Sequence, residues 1–102
     1  MILDQNRAIE KVKSYTEVLK KYFDINAVFL YGSYASGKQR EHSDIDIAVV
    51  VNSIDKDFFV YAPLLWRLRM NIDTRIEPLL FEKGKNESGF LASIEKEGLK
   101  IY

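Results

Sequence analysis

The sequence predicts an α/β fold, a mixed β-sheet flanked by helices, and three observations carry that prediction. Over residues 4–23, apolar side chains recur at spacings of three and four, the pattern of one helix face. Two strand-length runs rich in β-branched or aromatic residues follow, at 27–31 and 44–51. A second helix-length apolar segment then precedes a third alternating run, 71–81, and such interleaving of helical and strand periods belongs to a sheet covered by helices. With 102 residues there is material for one core, but not for a catalytic and a separate substrate domain, so residues 1–102 are expected to form a single domain.

The first helix is expected over 4–23, with Ile9, Val12, Thr16, Leu19 and Phe23 as its stripe and Tyr15 and Tyr22 flanking it. Lys11, Lys13, Lys20 and Lys21 fall on other faces, where solvent accounts for them. Asp4 has the side chain of an N-cap, and Asp24 with Asn26 makes the turn into the first strand. That strand ends in Gly32-Ser33, followed by the small-residue segment Tyr34-Ala35-Ser36-Gly37. At a strand-to-helix turn of this kind, backbone N–H groups point outward and favour phosphate.

The second strand opens Asp44-Ile45-Asp46-Ile47 and ends fully apolar. Alternation places Asp44 and Asp46 on one face, roughly 6–7 Å apart along the backbone. Aspartate is depleted in strands, and two like charges this close repel unless a cation lies between them. A phosphate-binding turn beside a carboxylate pair reads as a metal–nucleotide site. In the connecting loop, Lys38 and Arg40 are candidates to contact a triphosphate, since a guanidinium matches phosphate bidentately; a solvated polar loop is the simpler account of either residue alone. His42 is the one histidine and reads as an exposed loop residue, and Ser43 is placed to cap or orient Asp44.

Residues 52–57 carry turn chemistry, and 58–70 reads as a helix with Asp57 as candidate N-cap. Pro63 must then either start that helix or kink it. Phe58, Phe59, Tyr61, Leu64, Leu65, Trp66, Leu68 and Met70 offer more apolar surface than one core-facing stripe needs, which makes part of it a candidate partner surface. The third strand is expected near 73–80, with Asp73, Arg75 and Glu77 on one face and Pro78 suited to an edge or a strand end. A loop at 84–88 leads to a last helix, about 88–97, with Phe90, Leu91 and Ile94 as its apolar face and Gly98 as its stop. Leu99, Ile101 and Tyr102 are expected to pack back onto the body.

Bulk properties exclude several classes of function. Hydrophobic residues make up 47% and charged residues 29%, as in an ordinary globule. The apolar runs fall well short of a membrane span and no charged-then-apolar leader opens the chain, so neither a membrane nor secretion is expected. The absence of cysteine removes disulfides and thiolate zinc sites and fits a reducing cytoplasm. Fifteen basic residues balance fifteen acidic ones, which argues against a general nucleic-acid binder.

The pattern Gly32-Ser33, ten residues, then Asp44-x-Asp46 resembles the signature of the DNA polymerase β-like nucleotidyltransferase superfamily, and the short chain looks most like its minimal nucleotidyltransferase (MNT) branch. The motif covers 32–46, with weaker similarity to about Glu77. The resemblance implies the polymerase β-like fold and transfer of a nucleoside monophosphate from an NTP, with pyrophosphate leaving. It implies two Mg²⁺ ions held by Asp44, Asp46 and Asp73, the triphosphate tail gripped by Gly32 and Ser33, and ATP as the substrate; Arg40 is the loop candidate for a further phosphate contact. The run Ile72-Asp73-Thr74-Arg75 is similar to the strand that supplies the third carboxylate, so Asp73 takes that role and draws the acceptor proton. Glu77 is its alternative, and Arg75 would orient the acids. Proteins of the MNT branch resemble antitoxins that add AMP to a tyrosine of a HEPN-type RNase toxin, which makes such a toxin the expected partner. A module that neutralises its partner by contact alone and a small-molecule or nucleic-acid nucleotidyltransferase are the competing readings.

Overall fold

The computed structural model describes residues 3–55, 57–85 and 88–102; Lys56 of the 52–57 turn, Asn86 and Glu87 of the 84–88 loop and the side chain of Tyr61 lie outside the described residues. Helix α1 (Gln5–Leu19) starts where the sequence places its cap, Asp4 accepting from the Arg7 backbone N–H at 2.8 Å. It ends four residues before Phe23, which follows in a turn and is still buried. Tyr15 is fully buried rather than flanking, its hydroxyl donating to the Leu65 carbonyl. Thr16, also buried, satisfies its hydroxyl on Val12 O at 2.8 Å, as a buried polar group must.

Strand β1 (Ile25–Tyr31) is followed by the single-turn helix α2 (Ser33–Ser36), then β2 (Ile45–Val51), α3 (Phe58–Leu68), β3 (Ile76–Glu82), α4 (Phe90–Glu97) and a two-residue β4 (Leu99–Lys100). One sheet holds all four strands in the order β3-β2-β1-β4. β1 is antiparallel to both neighbours, while β3 runs parallel to β2, so the sheet is mixed as expected. β4 comes from the closing residues packing back on β1: Phe29 pairs Lys100, Leu30 pairs Leu99, and Ile101 N donates to Val28 O at 2.8 Å. Gly98 makes that return possible, since a Cβ there would lie 2.7 Å from the Ile94 and Leu30 carbonyl oxygens.

Alternation divides the sheet into two faces. Val28, Leu30, Ile45, Ile47, Val49 and Ile76 join α1, Tyr34 of α2 and Leu65 of α3 in the main core. On the opposite face Ala27, Phe29, Ala48 and Val50 meet Leu91 and Ile94 of α4. Each fully buried aliphatic side chain contributes about 1.5–3 kcal/mol, so the main core is the larger source of stability. α4 covers the β1–β2 half of the second face. The β3 side is left more open, with Leu79 40% exposed.

α3 contains Pro63 in its interior, at the sixth residue, and gives way to a 3₁₀ turn at Arg69–Asn71 instead of running to Met70. Asp57 precedes the helix without a side-chain cap bond. Phe59, Val60, Trp66 and Met70 are exposed, the surplus apolar surface read from the sequence. Arg69 lies over the Trp66 ring at 4.8 Å, and its guanidinium donates to the Thr74 carbonyl and, at 3.1 Å, to Ile76 O. That clamp fixes the turn leading into β3, and it is why the strand begins at Ile76 rather than Asp73.

Candidate active site

The site lies at the sheet edge where β1 ends and β2 and β3 begin. After Tyr31 the chain turns at Gly32 with φ 74° and ψ −150°, in the left-handed half of conformational space that glycine enters without strain. A Cβ at Gly32 would stand 2.4 Å from Asp46 Oδ2, so the turn backbone is packed directly on a carboxylate. α2 then forms a single turn, Ser36 N donating to Gly32 O at 3.2 Å. Gln5 Nε2 donates to the carbonyls of Tyr34 and Ala35 at 2.8 and 3.2 Å, anchoring the end of this short helix to α1.

Asp46 pairs with Tyr31 across β1 and with Glu77 across β3. Residues paired in this way share a face. Asp44, two residues ahead of Asp46, shares its parity and lies near enough to Glu77 to disfavour its charge. Three acids on one face outweigh Arg69, the cation that reaches Glu77, and the cost appears in their ionisation. Burial first, then Glu77 and Asp44, pushes Asp46 up to about 6. Burial and then Asp44 raise Glu77 as well. Burial, followed by Asp46 and Glu77, pushes the Tyr31 phenol up to about 12. Burial and like charge both disfavour an anion, and a bound cation would relieve both.

The donor set fits a hard divalent ion. Carboxylate oxygens suit Mg²⁺, which is typically held by one or two carboxylates and completes its shell with water and substrate phosphates. The fit is open rather than caged: among the described residues no three acidic or imidazole groups are gathered tightly enough to hold an ion by themselves. Asp44, Asp46 and Glu77 are the acids on this face that an ion would meet, and substrate phosphate and water would have to complete its shell.

The expected place of Asp73 beside the pair is not found. Asp73 sits in the turn before β3, where its Oδ1 accepts from the Arg75 backbone N–H at 2.8 Å. Arg75 also grips it bidentately, Nε to Oδ1 at 3.0 Å and Nη2 to Oδ2 at 2.7 Å, and Lys11 of α1 approaches Oδ2 at 3.3 Å. The Arg75 bonds, aided by Lys11, hold Asp73 well below the usual carboxylate range. An aspartate that bonds the backbone two residues ahead favours a turn over a ladder, so the alternating stripe Asp73-Arg75-Glu77 breaks before its third member. Arg75 likewise serves Asp73 rather than the acid pair. Glu77 occupies the neighbouring position.

Arg40 stays exposed on the 38–43 loop, as do Lys38 and His42. Ser43 closes this loop instead of orienting Asp44: its Oγ accepts from Arg40 N at 2.8 Å and its N–H donates to Arg40 O at 3.1 Å. Nothing in the sequence marks Tyr31 or Arg69 as belonging to the site. Tyr31 was visible only as an apolar strand residue before the glycine, and pairing with Asp46 needs the strand register.

A family model described as polymerase beta, nucleotidyltransferase matches residues 13–102. The chain belongs to that family. The fold and the Gly-Ser/Asp-x-Asp signature are those expected of a nucleotidyltransferase. Two proteins of Methanocaldococcus jannaschii, each named as a candidate protein adenylyltransferase, are similar to this nucleotidyltransferase. One is 33% identical over 96 residues, spanning 89% of this chain and 94% of the relative. The other is 29% identical over 89 residues, spanning 86% and 88%. Among solved structures, a nucleotidyltransferase candidate from Sulfolobus solfataricus superimposes with a TM-score of 0.69 at 22% identity, covering 94% of this chain and 80% of that one. A toxin–antitoxin structure with AMP-PNP gives 0.60 at 22% identity, covering 98% and 73%. Among the described residues no helix is long and apolar enough to cross a membrane.

Proposed function

We propose that this nucleotidyltransferase moves AMP from ATP onto a protein hydroxyl, a tyrosine of a cognate HEPN-type RNase toxin, and so acts as its antitoxin. The observation that carries the transfer reading is the Gly32 turn packed on Asp46 with Glu77 one strand away: a phosphate-gripping turn, a metal-holding pair and a third acid share one face. The names of the M. jannaschii relatives and the toxin–antitoxin neighbours support a protein acceptor and a toxin partner. The exposed apolar side chains of α3 provide a surface for one. The reading has residues 1–102 as one nucleotidyltransferase domain working in the cytoplasm.

Two Mg²⁺ ions, when bound, supply charge that steadies the triphosphate and the departing pyrophosphate. Asp44 and Asp46 would hold the nucleotide's metal, and Glu77 would take the third place expected of Asp73. The tyrosine oxygen bonds to the α-phosphorus as the bond from that phosphorus to the bridging oxygen breaks and pyrophosphate leaves. Glu77, paired with Asp46 on the same sheet face, accepts the phenolic proton. The Gly32 and Ser33 backbone steadies the phosphates, and Arg40 extends over the tail from its loop. The transferred phosphate would add charge and bulk to the toxin.

Co-expression with the partner, followed by intact mass measurement, tests this reading. The partner should gain an AMP-sized increment with wild type and none with Asp44→Asn. A partner neutralised equally by both, with no increment, would make the chain a contact-only module. An increment on a small molecule or an RNA end would retain the enzyme and remove the toxin.

A further inference from the structure

Beside the Gly32 turn, away from β3, the molecule carries a pocket of about 360 Å³ that the transfer reading does not use. Gly32 itself lines it, so the pocket is continuous with the turn against Asp46. Its apolar walls are Tyr31 and Phe90, whose rings meet edge-on at 86° with centroids 5.9 Å apart. Phe81 supports Phe90 from behind, at 6.1 Å. Around the opening stand Ser36, Ser93 and Glu97. A small, mostly apolar cleft with a few polar groups at its rim is the ordinary form of a small-molecule site.

We infer that this pocket takes the nucleobase of the donor nucleotide, with Tyr31 and Phe90 as its stacking corner and Glu97 accepting a hydrogen bond from the base's exocyclic amino group. The inference rests on the transfer reading and goes further by naming what selects the nucleotide. Strand order supports the assignment. Tyr31 and Glu77 flank Asp46 on opposite sides, so phosphates held at Asp46 leave the Glu77 side to the acceptor hydroxyl and the Tyr31 side to the nucleoside. An aromatic corner accepts any base by its π face. A carboxylate rim offers acceptors and no donor, which favours adenine over a base without an amino group. Ser36 Oγ donates to Ser33 O at 3.1 Å, leaving its lone pairs to the ribose side.

The test is calorimetric titration in Mg²⁺ with three probes: ATP, the triphosphate of purine riboside, which lacks the amino group, and inorganic tripolyphosphate. Wild type should prefer ATP to tripolyphosphate. Phe90→Ala should weaken ATP roughly tenfold, as loss of one stacking wall does, and leave tripolyphosphate unchanged. Glu97→Ala, at an exposed position, should erase the preference for ATP over purine riboside triphosphate. Ser93→Tyr, also exposed, should fill the pocket and repeat the Phe90→Ala result without opening the core. ATP affinity unchanged in all three, while Asp46→Asn abolishes it, would overturn the assignment and place the base elsewhere. Equal losses of ATP and tripolyphosphate would overturn it too, by showing that these residues support the turn. Wild type binding none of the probes would instead remove the transfer reading itself, and the inference with it.

Discussion

Asp73 and Glu77 stand four residues apart on one alternating run, and the fold gives them opposite surroundings. Asp73 is held by Arg75 and Lys11, and those bonds depress its proton affinity. Glu77 faces Asp44 and Asp46, and burial with the nearby carboxylate raises its own. A carboxylate already neutralised by two cations has little left to offer a metal. One crowded by other acids gains from any cation that arrives. The comparison separates a carboxylate that holds structure from one left free for chemistry, and the line between them is where β3 begins.

The largest expected effect is on transfer. Glu77→Gln should lower the rate by about 10²–10⁴-fold, the range for losing a positioned base, with the melting temperature unchanged or slightly raised. Asp73→Asn should stay within a few-fold of wild type. Radiolabelled transfer assays on both variants would return the third site to Asp73 if the pattern were reversed.

Gly32→Val breaks the turn packed on Asp46, the strand partner of Glu77. A side chain there meets Asp46 Oδ2 and must adopt a φ of 74°, so transfer should vanish and stability fall by about 1–3 kcal/mol. Ser33→Ala removes one hydroxyl and should be far milder. Mg²⁺–ATP titration together with thermal melts compares the two, and equal losses would mean that the side chain, not the backbone, makes the contact.

On stability the order inverts. Asp73→Ala should cost about 2 kcal/mol, for hydrogen bonds made to charged partners, seen as a melting point lower by on the order of 10 °C. Glu77→Ala should cost less, because it also removes like-charge repulsion. A smaller loss for Asp73→Ala than for Glu77→Ala would show that the ion pair with Arg75 contributes nothing net.

The smallest effect is a difference in pH dependence. Asp46 has a raised pKa, so its stabilising contribution is full below its unfolded value near 4 and is lost as pH rises through about 6. Asp73 has a lowered pKa, so its contribution is present above about 4 and is lost as pH falls below that. In metal-free urea melts, Asp46→Asn should therefore gain on wild type between pH 4.5 and 7, a window chosen about the Asp46 shift. Asp73→Asn should lose its deficit only in stronger acid. A gain for Asp46→Asn that does not change with pH would mean that neither burial nor the neighbouring acids raise the Asp46 pKa.

Much of the architecture was legible in the sequence because it depends on neighbours along the chain. The cap at Asp4, the runs that become β1 and β2, the Gly32 turn, the stop at Gly98 and the exposed surplus on α3 each follow from side-chain chemistry within a few residues. The acid pair follows in the same way, since alternation alone puts Asp44 and Asp46 on one side. Tertiary structure decided what touches what. It set the order β3-β2-β1-β4, buried Tyr15 under Leu65, added β4 through Val28, and used Arg69 and Asp73 to delay β3 until Ile76. The choice between Asp73 and Glu77 belongs to this second group. Period-two alternation gives them equal claims; the turn bonds of Asp73 to Arg75 and the reach of Lys11 from α1 turn one aside, and the pairing of β3 with β2 leaves the other next to Asp46.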